Sequence, residues 1–174
     1  MDIHEFRRQI DDFMGKHPQS PLAYGQQDHF RGLNYYEPDP AYVLEAAVVA
    51  FPENEPPLRM QTSSGDERLF RRLAELRFAV GDRPVALTLY SDPSGEELFL
   101  PFKDQTNGEE TYGAGRYLDN NRPGLAWLNS SRMEIDFNFC YNPYCAYDAG
   151  YSCPLPPREN WLPVRIEAGE KGFG

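Results

Sequence analysis

The stretch LRFAVGDRPVALTL, Leu76 to Leu89, decides the fold class. Leu76, Phe78 and Val80 alternate with Arg77 and Ala79; beyond Gly81-Asp82, Val85, Leu87 and Leu89 alternate on the way back. Successive side chains of a strand point to opposite faces, so two period-two runs joined by a turn predict an antiparallel hairpin with one buried face. The same punctuation extends outward. Tyr42 to Phe51 is an apolar, partly β-branched run that suggests a buried strand, and Leu58 to Thr62 and Arg68 to Leu73 read as short strands after it, separated by the turns ENEPP and SSGD. On the other side, SDPSGEE leads into Leu98, Leu100 and Phe102, with Pro101 hinting at an edge or bulge. Tyr112 to Leu118, Met133 to Phe139 and Val164 to Ala168 read as further strands.

Short strands at turn-punctuated spacing predict a mainly antiparallel β protein, a barrel or a sandwich, and not a βαβ fold. An aromatic content of 14% agrees, because rings pack well on pleated faces, and 16 prolines with 14 glycines argue against a helical bundle. One helix is expected, in residues 1–15. Asp2 can cap it, Glu5 stands at the capping-box position, and Ile3, Phe6, Ile10 and Phe13 make one apolar stripe. Gly15 and Pro18 end it, and a loop follows to Gly32, with one helical turn near Asp28 to Phe30. A length of 174 residues, without repeat or linker, predicts a single domain over 1–174, with a β core over 42–168 and an irregular loop over 140–162.

The net charge is −10, from 27 acidic and 17 basic residues, and only Lys16, Lys103 and Lys171 are lysines. Such a surface repels phosphate backbones, which argues against a nucleic-acid partner; it also suits a high-salt cytoplasm. There is no apolar run long enough for a membrane span, and MDIHEFRRQIDDF lacks the apolar core of a signal peptide. The expectation is a cytoplasmic protein. Composition says nothing of its oligomeric state.

No cofactor motif survives inspection. Gly113-Ala114-Gly115 begins like a dinucleotide fingerprint, but Leu118 holds the third glycine's place and no helix pattern follows. There is no P-loop and no nucleophile elbow, and Arg8 stands where a zinc protease helix beginning at His4-Glu5 would carry its second histidine. Cys140, Cys145 and Cys153 follow C-x4-C-x7-C, which is not a standard zinc spacing. Three readings stand: a three-thiolate metal site with an outside ligand, a Cys145–Cys153 disulfide, or buried reduced thiols. The last is favoured in a reducing cytoplasm.

The polar residues of the central stretch supply the candidate site. Tyr112 and Arg116 share one face of a strand whose other face carries Gly113 and Gly115, a flat patch that a ring or a ligand can approach. Asp136 and Asn138 lie on the polar face of the 133–139 strand, and an Arg116–Asp136 pair is expected to join the two. Tyr141, Asn142, Glu159 and Asn160 bound the irregular loop, beneath which a pocket is expected. Asp104, Asp136 and Glu159 are the acid–base candidates, although Asp104 can equally close an Asx turn with Thr106-Asn107-Gly108. The functional readings are a small-molecule binding protein, with an anion as one possible ligand; an enzyme using Asp136 or Glu159 with Arg116 as anion holder; or a structural module.

Longer motifs add a resemblance. SPL at Ser20–Leu22, GLNYYEPDP at Gly32–Pro40, PFKDQTNGEETYGAGRYL at Pro101–Leu118, DFN at Asp136–Asn138, YNPYCAY at Tyr141–Tyr147, CPLPPREN at Cys153–Asn160 and AGEK at Ala168–Lys171 resemble the bacterial and archaeal family known as domain of unknown function 1684. The resemblance spans nearly the whole chain and implies no activity. Cys140 falls outside the shared pattern.

Overall fold

Backbone pairing at Leu76–Leu89 runs as the alternation requires. In the computed structural model, which describes residues 1–174, strand β3 (Glu67–Val80) pairs antiparallel with β4 (Arg83–Ser91), setting Leu76 opposite Leu87 and Phe78 opposite Val85. The expected strands Arg68–Leu73 and Leu76–Val80 are one strand of 14 residues. A register shift between Arg72 and Ala74 interrupts its period-two phase, which makes it read as two.

Around this hairpin lie β1 (Val43–Ala50), β2 (Leu58–Gln61), β5 (Leu98–Phe102), β6 (Arg116–Asp119), β7 (Leu125–Asn129) and β8 (Arg132–Asp136). The order is β6-β5-β4-β3-β1-β8-β7, with β2 on the first half of β3, and every pairing is antiparallel. The result is one eight-stranded sheet curled into a half-barrel. Its concave side holds Leu76, Leu87, Leu89, Leu100, Phe102, Leu118, Met133, Ile135 and Phe137. The mainly antiparallel β class with an N-terminal helix is as expected, and the barrel-like alternative is the one taken, as a curled half-barrel.

Three strand expectations change. Tyr112–Leu118 shortens to β6, because Gly115 has φ +103° and its N–H closes a turn on Tyr112 O. A Cβ at Gly115 would lie 2.5 Å from Phe102 O, so the glycine serves contact with the neighbouring strand. Met133–Phe139 ends as a strand at Asp136, whose carboxylate accepts from Asn138 N and starts a 3-10 turn. Val164–Ala168 is not a strand at all. β7 is not legible in the sequence: GLAWLN lacks a clean alternation, since it forms the sheet edge and leaves Trp127 and Leu128 about half exposed.

Helix α1 (Ile3–Lys16) is capped by Asp2, which accepts from His4 N at 2.8 Å and Glu5 N at 3.0 Å. The reciprocal half of the expected capping box is absent, because Glu5 turns to Arg8. Phe6 packs edge-on against Phe139, with ring centroids 5.4 Å apart, and Met14 sits with Leu22 and Tyr147. A second helix, α2 (Tyr24–His29), begins earlier than the single turn expected. No helix is long and apolar enough to cross a membrane.

Candidate functional site

The polar residues singled out in the sequence separate into clamps that hold the chain and a cleft that does not. Arg116 is the main clamp. Its side chain and that of Asp104 are fully buried and form an ion pair, Nη2 to Oδ1, at 3.2 Å. The guanidinium also donates to three carbonyls of the C-terminal segment: Ile166 O at 2.8 Å, Ala168 O and Glu170 O at 3.2 Å. Asp104 in turn accepts from Ile166 N at 2.7 Å, from Thr106 N and Oγ1 and from Asn107 Nδ2. Alternate carbonyls of an extended chain project from one edge, and one guanidinium gathers three of them. That is why the β-like period of Val164–Ala168 yields no strand: its edge is paired with a side chain.

The expected Arg116–Asp136 pair is therefore not formed; Asp104 takes the place of Asp136. Asp136 binds Asn138 N and Nδ2 near the foot of α1, and the two border a hollow of about 260 Å³ separate from Arg116. Asn138 bonds both backbone groups of Asp39, at 2.9 Å each. Asn160, fully buried, accepts from Thr88 N at 2.8 Å and donates to Thr88 O and Pro101 O. Asn142 donates through its backbone N–H and its Nδ2 to the Glu170 carboxylate, at 3.0 and 3.1 Å. The Asn138 and Asn160 amides each mimic a peptide group and pair backbone that no strand reaches. Glu159 accepts from Arg72 Nε at 3.0 Å and from the Tyr90 hydroxyl. Tyr112 meets Cys145 Sγ at 3.4 Å.

Of the candidates, only Tyr141 faces the largest cleft, which has a volume of about 440 Å³. β6 supplies one side through Tyr117 and Asp119, and the turn after it adds Asn121 and Arg122. The irregular loop supplies the other through Tyr141, Tyr144, Tyr151 and Ser152. Arg68, at the start of β3, closes one end and donates to Ser152 O at 2.5 Å. A second hollow of about 240 Å³ continues past Arg68 and Tyr117 to Phe70 and Phe99. The Tyr141 hydroxyl bonds Asp119 Oδ2, and the Arg122 guanidinium lies 3.7 Å from the Tyr141 ring centroid. Burial pushes the Tyr117, Tyr141 and Tyr144 hydroxyls above the ordinary tyrosine value, so these groups are neutral hydrogen-bond donors.

Arg68 and Arg122 are the two arginines that line this cleft. Arg8, Arg72, Arg77, Arg116, Arg132 and Arg165 each form an ion pair; these two form none, in a protein of net charge −10. Sequence reasoning passed over Arg68, Asp119, Asn121 and Arg122. The signal available was DNNR at 119–122, a carboxylate and an arginine straddling a turn directly after a strand end. No three His, Cys, Asp or Glu side chains come together as a metal site would require.

A family model described as "Protein of unknown function (DUF1684)" matches residues 28–171. The chain belongs to the DUF1684 family. No curated protein matches it. It is similar to a solved structure, the solution NMR structure of the uncharacterized protein from gene locus rrnAC0354 of Haloarcula marismortui. The two are 35% identical, with a TM-score of 0.71, over 97% of this chain and 91% of the other. In this DUF1684 chain the resembling motifs do two jobs. PFKDQTNGEETYGAGRYL holds the Asp104–Arg116 clamp, whereas YNPYCAY and the start of CPLPPREN wall the cleft.

Two outcomes follow for the clamps. Arg116→Lys keeps the charge but loses the planar fork that serves three carbonyls and a carboxylate, and urea denaturation should show a loss of about 3 kcal/mol; a loss under about 1 kcal/mol would contradict this account. Glu170 is buried, and burial pushes its carboxyl from 4.5 up to about 7, against the pull of Tyr147, Asn142, Arg122 and Arg116. A folded-state value above the unfolded one means that stability is fully present below about pH 4.5 and is lost as pH rises through 7. The difference between wild type and Glu170→Gln should therefore vary across pH 5–8 in thermal melts, with the wild type losing ground as pH rises; parallel curves would refute the assignment.

Proposed function

We propose that this chain binds a small anionic molecule carrying a ring, in the cleft between β6 and the Tyr141–Pro154 loop. The observation that carries the reading is the pair of arginines, Arg68 and Arg122, without carboxylate partners at a cleft walled by tyrosines. In a strongly acidic protein a cation left unpaired in a concavity favours an anion by direct attraction, and guanidinium forks suit carboxylate and phosphate oxygens. Tyr117, Tyr141, Tyr144 and Tyr151 offer apolar faces with hydroxyl tips, the usual composition of a small-molecule site. A volume of about 440 Å³ suits a molecule of one or two rings.

Binding is favoured over turnover. The one carboxylate lining this cleft, Asp119, is engaged by the Tyr141 hydroxyl and by Asn121 N at 3.0 Å. The enzyme alternative drew on Arg116 with Asp136 or Glu159, and those three groups share no cavity. A cytoplasmic setting belongs to the same proposal and is supported by three free thiols.

Thermal melts with inorganic phosphate and with phenyl phosphate test the reading. Phenyl phosphate should raise the Tm more than phosphate at equal concentration, because the ring adds contact with tyrosine faces. Arg122→Gln should remove most of the rise while lowering the ligand-free Tm by only about 2–4 °C, as expected of a partly exposed side chain that loses one cation–π contact on Tyr141 and no ion pair. Equal shifts in wild type and variant would refute the site.

A further inference from the structure

Cys145 and Cys153 stand apart from Cys140. Cys140 is 1% exposed, Gly169 leaves no free space beside its sulfur, and burial pushes its thiol up to about 11. It is inert by position. Cys145 and Cys153 retain 9% and 7% exposure, and Cys153 forms part of the cleft wall. Cys145 N donates to Cys153 Sγ at 3.3 Å, which sets the two cysteines side by side. The Tyr112 hydroxyl reaches Cys145 Sγ at 3.4 Å from the other side.

Both sulfurs are held in place. Cys145 lies in the 3-10 turn Tyr144–Ala146. Cys153 is fixed to the β2–β3 turn: its N–H donates to Ser63 Oγ at 3.0 Å, and its carbonyl accepts from Ser63 N at 2.9 Å. The segment between the cysteines carries Tyr151 and Ser152, which line the cleft.

We propose that Cys145 and Cys153 are a redox-active dithiol, which a hydroperoxide converts to an intramolecular disulfide that tethers the cleft-lining segment between them. Cys145 is the attacking sulfur. The neighbouring Cys153 thiol and the Tyr112 hydroxyl, 3.4 Å from its sulfur, favour its thiolate and lower its pKa. The thiolate attacks one peroxide oxygen, the O–O bond breaks, and Cys145 becomes a sulfenic acid as the other oxygen leaves and takes up the proton the thiol gave. The Cys153 sulfur then attacks the sulfenic sulfur; the S–S bond forms, the S–O bond breaks, and hydroxide leaves as water with the Cys153 proton. Two thiols thus give two electrons, and one hydrogen peroxide becomes two waters.

The experiment uses the reduced full chain, treated with hydrogen peroxide, then denatured and alkylated for intact-mass and peptide mapping. The expected product is a monomer that has lost two hydrogens, takes one alkyl group at Cys140 and yields a linked Cys145–Cys153 peptide. Its Tm should lie above that of the reduced chain and return with dithiothreitol. Three alkylated thiols after oxidant, a disulfide between chains, or irreversible sulfinic acid as the main product would overturn the proposal. Cys153→Ser supplies a second test: with the resolving sulfur gone, a cyclic diketone probe should label Cys145, and labelling of Cys153 in Cys145→Ser instead would reverse the assigned roles. None of these readouts involves a ligand, so they stand or fall separately from the binding reading.

Discussion

The fully buried Arg116–Asp104 pair is the constraint on which the C-terminal part of this structure depends. An ion pair in a dry interior is a poor source of net stability unless its remaining donors and acceptors are satisfied. Here they nearly all are: the guanidinium takes Asp104 and three carbonyls, and only Nε lacks a partner. The pair fastens residues 166–170 to the end of β6 without a strand pairing, and a second buried carboxylate, Glu170, then holds Asn142 and Tyr147. The start of the irregular loop is positioned through this chain of contacts, and that loop is one wall of the cleft.

Much of the fold was legible because burial imposes a period on side chains. β3, β4, β5 and the apolar half of β8 show it, and the capped, striped N-terminus shows the helical equivalent. Where the structure departs from the reading, a polar side chain had replaced a strand partner. Val164–Ala168 carries strand-like residues, but its edge is met by Arg116. Met133–Phe139 continues to alternate past the strand end, because Asp136 turns the chain while Phe137 remains in the core. Such substitutions depend on residues far away in sequence, which periodicity cannot register.

The candidate site was legible only at one edge. The irregular aromatic loop pointed to a pocket beneath it, and Tyr141 does line the cleft. The other candidates were polar residues near that loop, and their polarity serves the fold: Asn138 and Asn160 pair peptide groups, Asn142 binds the Glu170 carboxylate and Lys171 O, and Arg116 is sealed. In a fold with many short strands, unpaired peptide groups are abundant, so a buried amide is first a backbone partner. The cations that do face the cleft, Arg68 and Arg122, come from separate strand ends and are brought together only by the curl of the sheet.

The central claim is that this cleft, and not the Arg116 clamp or the hollow at Asp136, receives an anion. An NMR titration of the labelled chain with phenyl phosphate tests it most directly. The account predicts saturable shifts of the Arg68 and Arg122 guanidinium signals and of the backbone amides of Tyr117, Asn121, Tyr141 and Ser152, with the signals of Arg116, Asp136 and Asn138 unmoved. Shifts centred on Asp136 and Asn138, or none that saturate, would contradict it.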